Sequence, residues 1–203
     1  MTSIALIVAA GSGSRSGLSY PKQYLKMGSQ TVLEKSVRAF LEHPEIAQVQ
    51  VVIAPADQDL YEQCVGHLDL PAPIMGGSSR QESVLNGLLA LQDHPPTNIL
   101  IHDAARPFVD AKLISRCLEG LEKSPVVLPA MAVNDTVKTI DGEQVTGTID
   151  RNKLVFAQTP QCFRYADILK AHQTYKGQLV TDDIALAELA GIEVTWLKEP
   201  KRT

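Results

Sequence analysis

The chain lacks the features that several large classes of protein require. Its three cysteines, Cys64, Cys117 and Cys162, are odd in number and show no metal-ligand spacing. They predict reduced, partly buried thiols of a cytoplasmic protein rather than a disulfide framework. A net charge of -4 gives no broad basic surface for a nucleic acid or a membrane, so any cationic site must be local. With neither a basic leader nor a long apolar run, the sequence predicts no signal, transit or transmembrane segment.

Familiar catalytic signatures are absent as well. No Gly-Lys-Ser/Thr tripeptide occurs, which excludes a Walker-type phosphate loop. No Ser-His-Asp, Cys-His or paired-carboxylate arrangement supplies an enzymic nucleophile. This pattern favours a reaction in which the substrate's own phosphate attacks.

Residues 3–22 form the most informative stretch. An apolar run at 4–8 is followed by the small residues 9–13 and by two cations, Arg15 and Lys22. Small residues let backbone N–H groups approach a phosphate closely. We therefore predict a triphosphate cradle, that is, a loop whose backbone N–H groups bind the phosphates. Both cations would pair with the negative charges of the triphosphate. The alternative is a tight strand-to-helix connection with two solvated cations.

The dinucleotide-binding fingerprint fits this stretch poorly. Ser16 follows Gly11 and Gly13 where a third glycine belongs, and Gly17 comes one place late. The second strand, at 49–54, also ends without an acid for a ribose.

Apolar strand segments alternate with helical stripes through the first 130 residues. The predicted strands cover 4–8, 49–53, 73–75, 99–101 and 126–128, and the helices between them cover 31–43, 57–68, 79–91 and 111–123. Strands that are apolar on both faces predict a three-layer, mostly parallel sheet covered by helices on both sides. Ligands of such sheets bind at the carboxyl ends of the strands.

The alternation stops after Ala130. Residues 134–151 read as a β-hairpin built on the turn Asp141-Gly142, followed by helices at 165–175 and 182–190 and a strand at 192–197. A lone hairpin is marginally stable, so this arm must pack on its own domain or on a partner subunit. Dimerisation through the arm is our hypothesis. With no repeat or linker visible, residues 1–203 are interpreted as a single domain.

Asp103 is the candidate metal ligand. It comes just past the strand at 99–101, and Mg²⁺ often takes one carboxylate together with phosphate oxygens. The alternative is a loop clamp between Asp103 and Arg106. His102 is predicted to be packed or hydrogen-bonded, because it has no His or Cys partner at ligand spacing.

A second candidate ligand loop covers residues 76–83. Its glycines and hydroxyls permit close approach, and a helix N-terminus behind them offers free N–H groups. Ser79 and Glu82 predict a capping box there. Arg80 opposes the helix dipole unless it meets an anion or a carboxylate.

A third segment, residues 181–183, has two interpretations. Thr181, Asp182 and Asp183 are either substrate ligands or a threonine cap with two acids in the first helical turn.

An ordered set of short motifs resembles the 2-C-methyl-D-erythritol 4-phosphate cytidylyltransferase family of the non-mevalonate isoprenoid pathway. The matching segments span nearly the whole chain: 9–15 (AAGSGSR), 21–24 (PKQY), 76–77 with Arg80 and 83–84, 86–88 (NGL), 102–107 (HDAARP), 135–138 (DTVK), 150–151 (DR), 158–161 (QTPQ) and 181–183 (TDD).

The resemblance implies a Rossmann-like nucleotidyltransferase sheet with a protruding β-arm. It implies that CTP, methylerythritol phosphate and Mg²⁺ give CDP-methylerythritol and pyrophosphate. Arg15, Lys22 and Arg151 would be catalytic, the first two by neutralising charge at the α-phosphorus. Asp103 would hold Mg²⁺.

The binding residues follow by position in the same motifs. With the loop residues identified above, the predicted nucleotide-binding set is Ala10, Gly11, Gly13, Arg15, Lys22, Gly77, Ser78, Arg80, Ser83, Asp103 and Ala104. Thr136, Arg151, Thr159 and Thr181 would hold the second substrate. Arg151 would reach across from the arm of a partner subunit. Its guanidinium suits a phosphate.

The resemblance also implies a segment beyond Thr203. It would contain an acidic residue and an Asn-x-Lys-Ile/Leu-Thr motif, and then a closing helix. That segment would add a metal carboxylate and a phosphate lysine, so we expect a truncated chain or one cut from a two-enzyme polypeptide. Two other functions remain open: a cytidylyltransferase acting on ribitol 5-phosphate or another polyol phosphate, and a nucleotide-binding protein that is inactive without the missing tail.

Overall fold

An eight-stranded sheet forms the centre of the fold. The computed structural model describes residues 1–11 and 20–199. The strands of this sheet are β1 (Ser3–Val8), β4 (Gln48–Ile53), β5 (Ile74–Met75), β6 (Asn98–Asp103), β7 (Val126–Ala132), β10 (Val155–Ala157), β11 (Gln161–Arg164) and β12 (Val194–Lys198). Their order is β10-β7-β11-β6-β1-β4-β5, and β12 pairs with β7. Strands β1, β4, β5 and β6 are parallel, as the sequence predicted.

Two antiparallel strands were not predicted from the sequence. Strand β11 lies between β6 and β7, and β10 pairs with the end of β7. Both follow a region in which the strand–helix alternation had ended, and each is only three or four residues long. Short apolar runs of this kind carry no clear period, so tertiary pairing decides their conformation. The sheet is therefore mixed rather than parallel throughout.

In the described part of the chain, six α-helices cover the two faces of the sheet. They are α1 (Val32–Leu41), α2 (Gln58–Val65), α3 (Arg80–Ala90), α4 (Ala111–Leu121), α5 (Tyr165–Thr174) and α6 (Asp183–Leu189). One apolar cluster packs α1, α2 and α4 on one face, and a second packs α3, α5 and α6 on the other. Strand β1 serves both, because Ala5 and Ile7 point to the first cluster while Ile4 and Leu6 point to the second. This is the predicted three-layer arrangement.

Two small antiparallel pairs lie outside the main sheet. Strands β2 (Lys26–Met27) and β3 (Gln30–Thr31) form one, and the predicted arm forms the other, from β8 (Val137–Asp141) and β9 (Gln144–Ile149). Gly142 in the arm's turn has φ +55°, a conformation that glycine adopts without strain. No helix in the described ranges 1–11 and 20–199 combines the length and apolarity needed to cross a bilayer.

Candidate active site

Three predicted loops meet at one edge of the sheet. They follow the carboxyl ends of β1, β5 and β6, which run parallel. Backbone hydrogen bonds tie them to neighbouring strands: the Ala104 N–H donates to Val8, the Gly76 N–H donates to Ile53, and the Ala9 N–H donates to Val52. Because parallel strands end together, residues far apart in sequence share this edge.

The loops after β1 and β5 are in direct contact at Gly76. A Cβ placed on Gly76 would lie 2.5 Å from the Cβ of Ala10 and 2.8 Å from Oγ of Ser83. That hydroxyl accepts a hydrogen bond from the Gly77 N–H at 3.1 Å and donates to the Ser79 carbonyl at 2.8 Å. Four residues predicted to bind nucleotide, Ala10, Gly77, Ser78 and Ser83, thus lie on or beside one close loop-to-loop contact.

Gln23 fixes the loop after β1. Its buried amide donates to the carbonyl oxygens of Ala9 at 2.7 Å and Gly11 at 3.1 Å. The neighbouring residue Lys22 begins a short 3₁₀ helix, Lys22–Tyr24, and is exposed. Lys22, which is predicted to be catalytic, therefore lies in the same 3₁₀ helix as Gln23, whose side chain holds the backbone of the loop after β1. Gly13 and Arg15, also predicted here, lie outside the described residues.

The capping box at the start of α3 forms only in part. Ser79 accepts from the Glu82 N–H as predicted, at 3.1 Å. The Glu82 carboxylate does not return to the Ser79 N–H; it accepts from the N–H and the hydroxyl of Ser78, both at 2.7 Å. These hydrogen bonds from Ser78 hold the pKa of Glu82 below its ordinary value. The carboxylate thus orders the loop residue itself.

Asp103 is the last residue of β6 rather than a residue past it. Its carboxylate lies between two guanidinium groups. Arg80 contacts Oδ1 at 3.3 Å and Arg106 contacts Oδ2 at 3.2 Å. Arg106 also donates to Gln158 Oε1 at 2.9 Å. The loop clamp considered as an alternative is therefore present, and it includes a second arginine that sequence reasoning did not connect to Asp103.

The donor chemistry at Asp103 fits a divalent cation that arrives with phosphate ligands. The carboxylate is one-third exposed and lies beside the loop contact. Within the described part of the chain, no group of three or more His, Cys, Asp or Glu residues could enclose a metal. Mg²⁺ often takes only one or two protein carboxylates and completes its shell with phosphates and water. A single Asp beside the predicted triphosphate cradle is compatible with this kind of coordination.

Arg80 also contacts a buried carboxylate. Its Nη1 lies 2.8 Å from Oδ2 of Asp183, whose side chain is 1% exposed. The other oxygen of Asp183 lies 3.0 Å from Nε2 of His172, which is fully buried. Burial raises the pKa of Asp183, but the charges of Arg80 and the contact with His172 outweigh it, so the pKa lies below its ordinary value. Arg80 lies at the start of α3, where the helix dipole disfavours a cation. The carboxylates of Asp103 and Asp183 compensate for this, as the sequence analysis required.

Of the two interpretations of residues 181–183, the threonine cap does not form. Asp182 is the N-cap of α6, because its carboxylate accepts from the Ala185 N–H at 3.1 Å, and Thr181 is exposed one residue earlier. Of the two acids in the motif, one caps the helix and the other, Asp183, pairs with Arg80. An aspartate suits the cap position at least as well as a threonine does.

Thr159 joins the site through His102. The Thr159 hydroxyl lies 3.0 Å from Nδ1 of His102, and the Asp103 N–H donates to it at 3.4 Å. His102 is fully buried and its Nε2 lies 3.0 Å from the Arg106 carbonyl oxygen, so its predicted packed, hydrogen-bonded state is confirmed. Ala104, the next predicted residue, is buried, and its carbonyl accepts from the Ser36 hydroxyl at 2.8 Å.

Thr136 and Arg151 lie apart from this cluster. Both are exposed and lie at the base of the arm, Thr136 one residue before β8 and Arg151 two residues after β9, where Arg151 donates to the carbonyl of Asn134. Among the hydrogen bonds and ion pairs of the described residues, none joins either side chain to Arg80, Asp103 or the loop after β1. The structure therefore groups most of the predicted nucleotide residues but not these two predicted substrate residues.

A cavity of about 540 Å³ opens on the Arg106 side of the site. Its lining is mainly apolar and includes Phe108, Leu113 and Met131, with Gln158 and Thr159 at one wall. Neither Gly11 nor Gly77 lines it, so it is distinct from the predicted cradle. An apolar wall does not suit a triphosphate.

Three buried polar residues that organise the site were missed from the sequence. They are Gln23, Gln161 and His172; Gln161 accepts from the N–H groups of Asp183 and Ile184 and donates to Asp182. A glutamine directly before the apolar pair Cys162-Phe163 was the available signal, because a buried amide needs partners. Its partners lie 21 to 23 residues further along the chain, which the sequence pattern does not reveal.

Comparison with known proteins gives a consistent result. A family model described as IspD, 2-C-methyl-D-erythritol 4-phosphate cytidylyltransferase, matches residues 3–199. The chain is 45% identical over 191 residues to a bifunctional enzyme IspD/IspF of Paramagnetospirillum magneticum, with 94% of this chain and 50% of that protein covered. It is 46% identical over 188 residues to the Rhodospirillum rubrum protein of the same name, covering 92% of this chain and 49% of that protein. The chain thus spans about half the length of these relatives.

Solved structures agree with the sequence matches. A 4-diphosphocytidyl-2C-methyl-D-erythritol synthase of Anaerococcus prevotii superposes with a TM-score of 0.84 at 30% identity, covering 97% of this chain and 86% of that one. A 2-C-methyl-D-erythritol 4-phosphate cytidylyltransferase of Thermus thermophilus gives a TM-score of 0.74 at 29% identity, covering 96% and 88%. Because the family model and the relatives both cover nearly all of it, this chain belongs to the IspD family of 2-C-methyl-D-erythritol 4-phosphate cytidylyltransferases.

Proposed function

We propose that the protein transfers a cytidylyl group from CTP to 2-C-methyl-D-erythritol 4-phosphate, releasing pyrophosphate. The observation that carries the proposal is the contact between the loops after β1 and β5 at Gly76, with Asp103 at the end of the adjacent strand β6. Such a backbone surface can bring N–H groups to phosphates and to a small base. Membership of the family supplies the identity of the two substrates.

The chain's own residues would act by binding and charge stabilisation. The substrate phosphate attacks the α-phosphorus of CTP, and the bond to the pyrophosphate leaving group breaks, so no covalent enzyme intermediate is needed. Lys22, and Arg15 in the undescribed segment, would stabilise the negative charge that grows at the α-phosphate. Asp103 would hold Mg²⁺, which supplies charge neutralisation of the phosphates when bound. Thr159 and Thr181 would help to hold the second substrate.

A homodimer that shares its sites is part of the proposal. The arm exposes large apolar side chains, with Ile140 69% and Val145 65% accessible. A two-stranded hairpin gains little stability alone, so a partner surface would cover these side chains. Arg151 and Thr136 stand at the base of this arm, from which they would reach the partner's Asp103 edge. Their separation from the chain's own cluster supports this assignment.

The protein's setting follows from similar reasoning. Relatives of about twice the length are bifunctional IspD/IspF enzymes, which supports a fusion to a second enzyme of the pathway. The three free, buried thiols support a reducing cytoplasmic compartment.

Labelled CTP incubated with the purified protein, Mg²⁺ and each polyol phosphate in turn tests the proposal. We expect CDP-methylerythritol and pyrophosphate, and loss of both products in an Asp103→Asn variant that still folds. Formation of CDP-ribitol without CDP-methylerythritol would contradict the substrate assignment. CTP binding without turnover on any acceptor would contradict the transfer activity and support a nucleotide-binding role.

A further inference from the structure

A line of polar and charged side chains connects the protein interior to Asp103. His172 on α5 contacts Asp183 at the start of α6, Asp183 contacts Arg80 at the start of α3, and Arg80 contacts Asp103 at the end of β6. Nδ1 of His172 has no hydrogen-bond partner in the part of the chain that the structure describes. The polar contact that His172 makes is therefore directed at Asp183. Both residues are fully buried, so neither can contact a substrate directly.

The guanidinium of Arg80 is held unequally by its two carboxylates. Nη1 lies 2.8 Å from Asp183, whereas Nη2 and Nε lie 3.3 and 3.4 Å from Oδ1 of Asp103. Charge-assisted hydrogen bonds normally fall at about 2.7–2.9 Å. The ion pair with Asp183 is the shorter contact, although it is not aligned as a hydrogen bond, and the two hydrogen bonds to Asp103 are long. Asp183 therefore draws one end of the guanidinium away from Asp103.

The position of Asp183 is fixed by its own surroundings. Gln161 on β11 accepts from the N–H groups of Asp183 and Ile184 at 3.1 and 3.3 Å, and His172 contacts its carboxylate. A buried carboxylate held at backbone and side chain has little freedom to follow a moving partner. Arg80 is correspondingly anchored on the side away from Asp103.

We propose that Asp183, oriented by His172, is a positioning residue that holds Arg80 back from Asp103, so that Oδ1 of Asp103 can exchange the arginine for a divalent cation. The inference rests on the proposed function, because it gives Asp103 the metal. With Asp183 charged, Arg80 has a closer anionic partner than Asp103 and stays where it is when the cation arrives. Without that charge, Arg80 would close on Asp103, and a cation would have to displace it and approach an uncompensated positive charge.

The test compares cation binding in wild type and Asp183→Asn. Mn²⁺ is titrated into each protein saturated with CTP, and binding is followed by water proton relaxation. We expect the substitution to weaken Mn²⁺ binding about 10- to 100-fold, the range found when a group that orients a metal ligand is removed. Thermal melting and circular dichroism establish that the variant is folded. Asp182→Asn is the matched control, since it removes the same charge one residue away; asparagine keeps the cap and loses only the hydrogen bond from Gln161.

A double-mutant cycle separates positioning from general electrostatics. In an Arg80→Gln background, Asp183→Asn should change Mn²⁺ affinity by less than about threefold, because the arginine through which it acts is gone. An equal loss in both backgrounds, or a loss as large in Asp182→Asn, would overturn the proposal. If the Asp183 variant does not fold, the proposed exchange at Asp103 can still be tested on the wild-type protein. Adding Mg²⁺ to the CTP complex should shift the Arg80 Nε–H resonance, and an unchanged resonance would refute the exchange.

The results that would refute the positioning role of Asp183 differ from those that would refute the proposed function. Turnover by the wild type together with unaltered Mn²⁺ binding by Asp183→Asn would refute the positioning role alone. Absence of turnover on every polyol phosphate would refute the transfer reaction, while a difference in Mn²⁺ binding between wild type and variant would still support the role of Asp183.

Discussion

The substitution Gly76→Ala tests whether the contact between two loops forms the nucleotide cradle. The new Cβ would lie 2.5 Å from the Cβ of Ala10, about 1 Å short of the 3.4 Å at which ordinary contact begins. The Ala10 Cβ is fixed to the backbone and cannot rotate away. The Ser83 hydroxyl at 2.8 Å is held by two hydrogen bonds. The overlap must therefore be relieved by moving backbone.

The magnitude follows from that displacement. Forcing an extra carbon into a packed site costs about 1–3 kcal/mol. For a chain of this size the cost corresponds to a fall in melting temperature of about 2–4 °C per kcal/mol. A shift of about 1 Å in groups that position a substrate can reduce turnover by about 100-fold. We therefore expect a modest loss of stability and a much larger loss of CTP binding and turnover.

Two further variants make the assay specific. Ala10→Gly combined with Gly76→Ala removes the opposing Cβ and should recover most of the lost melting temperature, because the principal overlap is gone. Gly11→Ala is the contrasting control. A Cβ there meets none of the residues that the structure describes within 4 Å, so we expect little change in stability. CTP affinity should still fall if Gly11 approaches the nucleotide. Calorimetric CTP titration and thermal melting measure both effects.

The reasoning would be refuted by a particular combination of results. If Gly76→Ala melted like the wild type and bound CTP with unchanged affinity, the loops would not be in the close contact described. If Ala10→Gly failed to rescue stability while the single variant lost it, the overlap with Ala10 would not be the cause.

The remaining predictions concern the lysine, the arm and a buried carboxylate. Lys22→Ala should reduce kcat about 10²–10³-fold with a smaller change in CTP affinity, and unchanged turnover would exclude Lys22 from catalysis. Inactive Lys22→Ala and Arg151→Ala subunits, mixed and re-dimerised, should regain about a quarter of wild-type activity, and no recovery would refute shared sites. Burial raises the pKa of Glu34, but hydrogen bonds from Arg38 and Gln30 outweigh it, so the pKa lies below the ordinary 4.5. Its ionised form therefore stabilises the fold above about pH 4.5, and this contribution is lost as pH falls through the lower folded value. In urea unfolding, the stability difference between wild type and Glu34→Gln should shrink below about pH 4.5, and a constant difference would contradict the assignment.

The predicted elements that proved correct share a strong local signal. Helix α1 was visible from its apolar stripe, and Glu34 and Arg38, four residues apart, form an ion pair at 2.8 Å. Both partners lie in one helix turn, so no distant residue is needed. Glu34 is a charged residue outside the apolar positions of the stripe, and it is nevertheless buried. Burial depends on what packs against the helix, which sequence period alone does not specify.

Errors arose where distant partners decide the outcome. Ser79 caps α3 as its position predicted, yet Glu82 turns to Ser78. A cap at Thr181 was one of two interpretations of residues 181–183, but Asp182 holds that position and Asp183 turns inward to Arg80. In both cases one of several adjacent polar residues could satisfy the helix end. Which residue caps the helix depends on whether its neighbours have a partner elsewhere in the fold.

The sequence by itself determined the layered architecture, the three loops at the carboxyl ends of strands and the family to which the chain belongs. Hydrophobic period, small-residue turns and motif order are all properties of neighbouring residues. Tertiary structure alone decided that Gly76 meets Ala10, that β11 separates β6 from β7, and that Arg80 is shared between Asp103 and Asp183. Each of these joins segments tens of residues apart, and the burial that makes such contacts strong exists only after the sheet and its helices have packed.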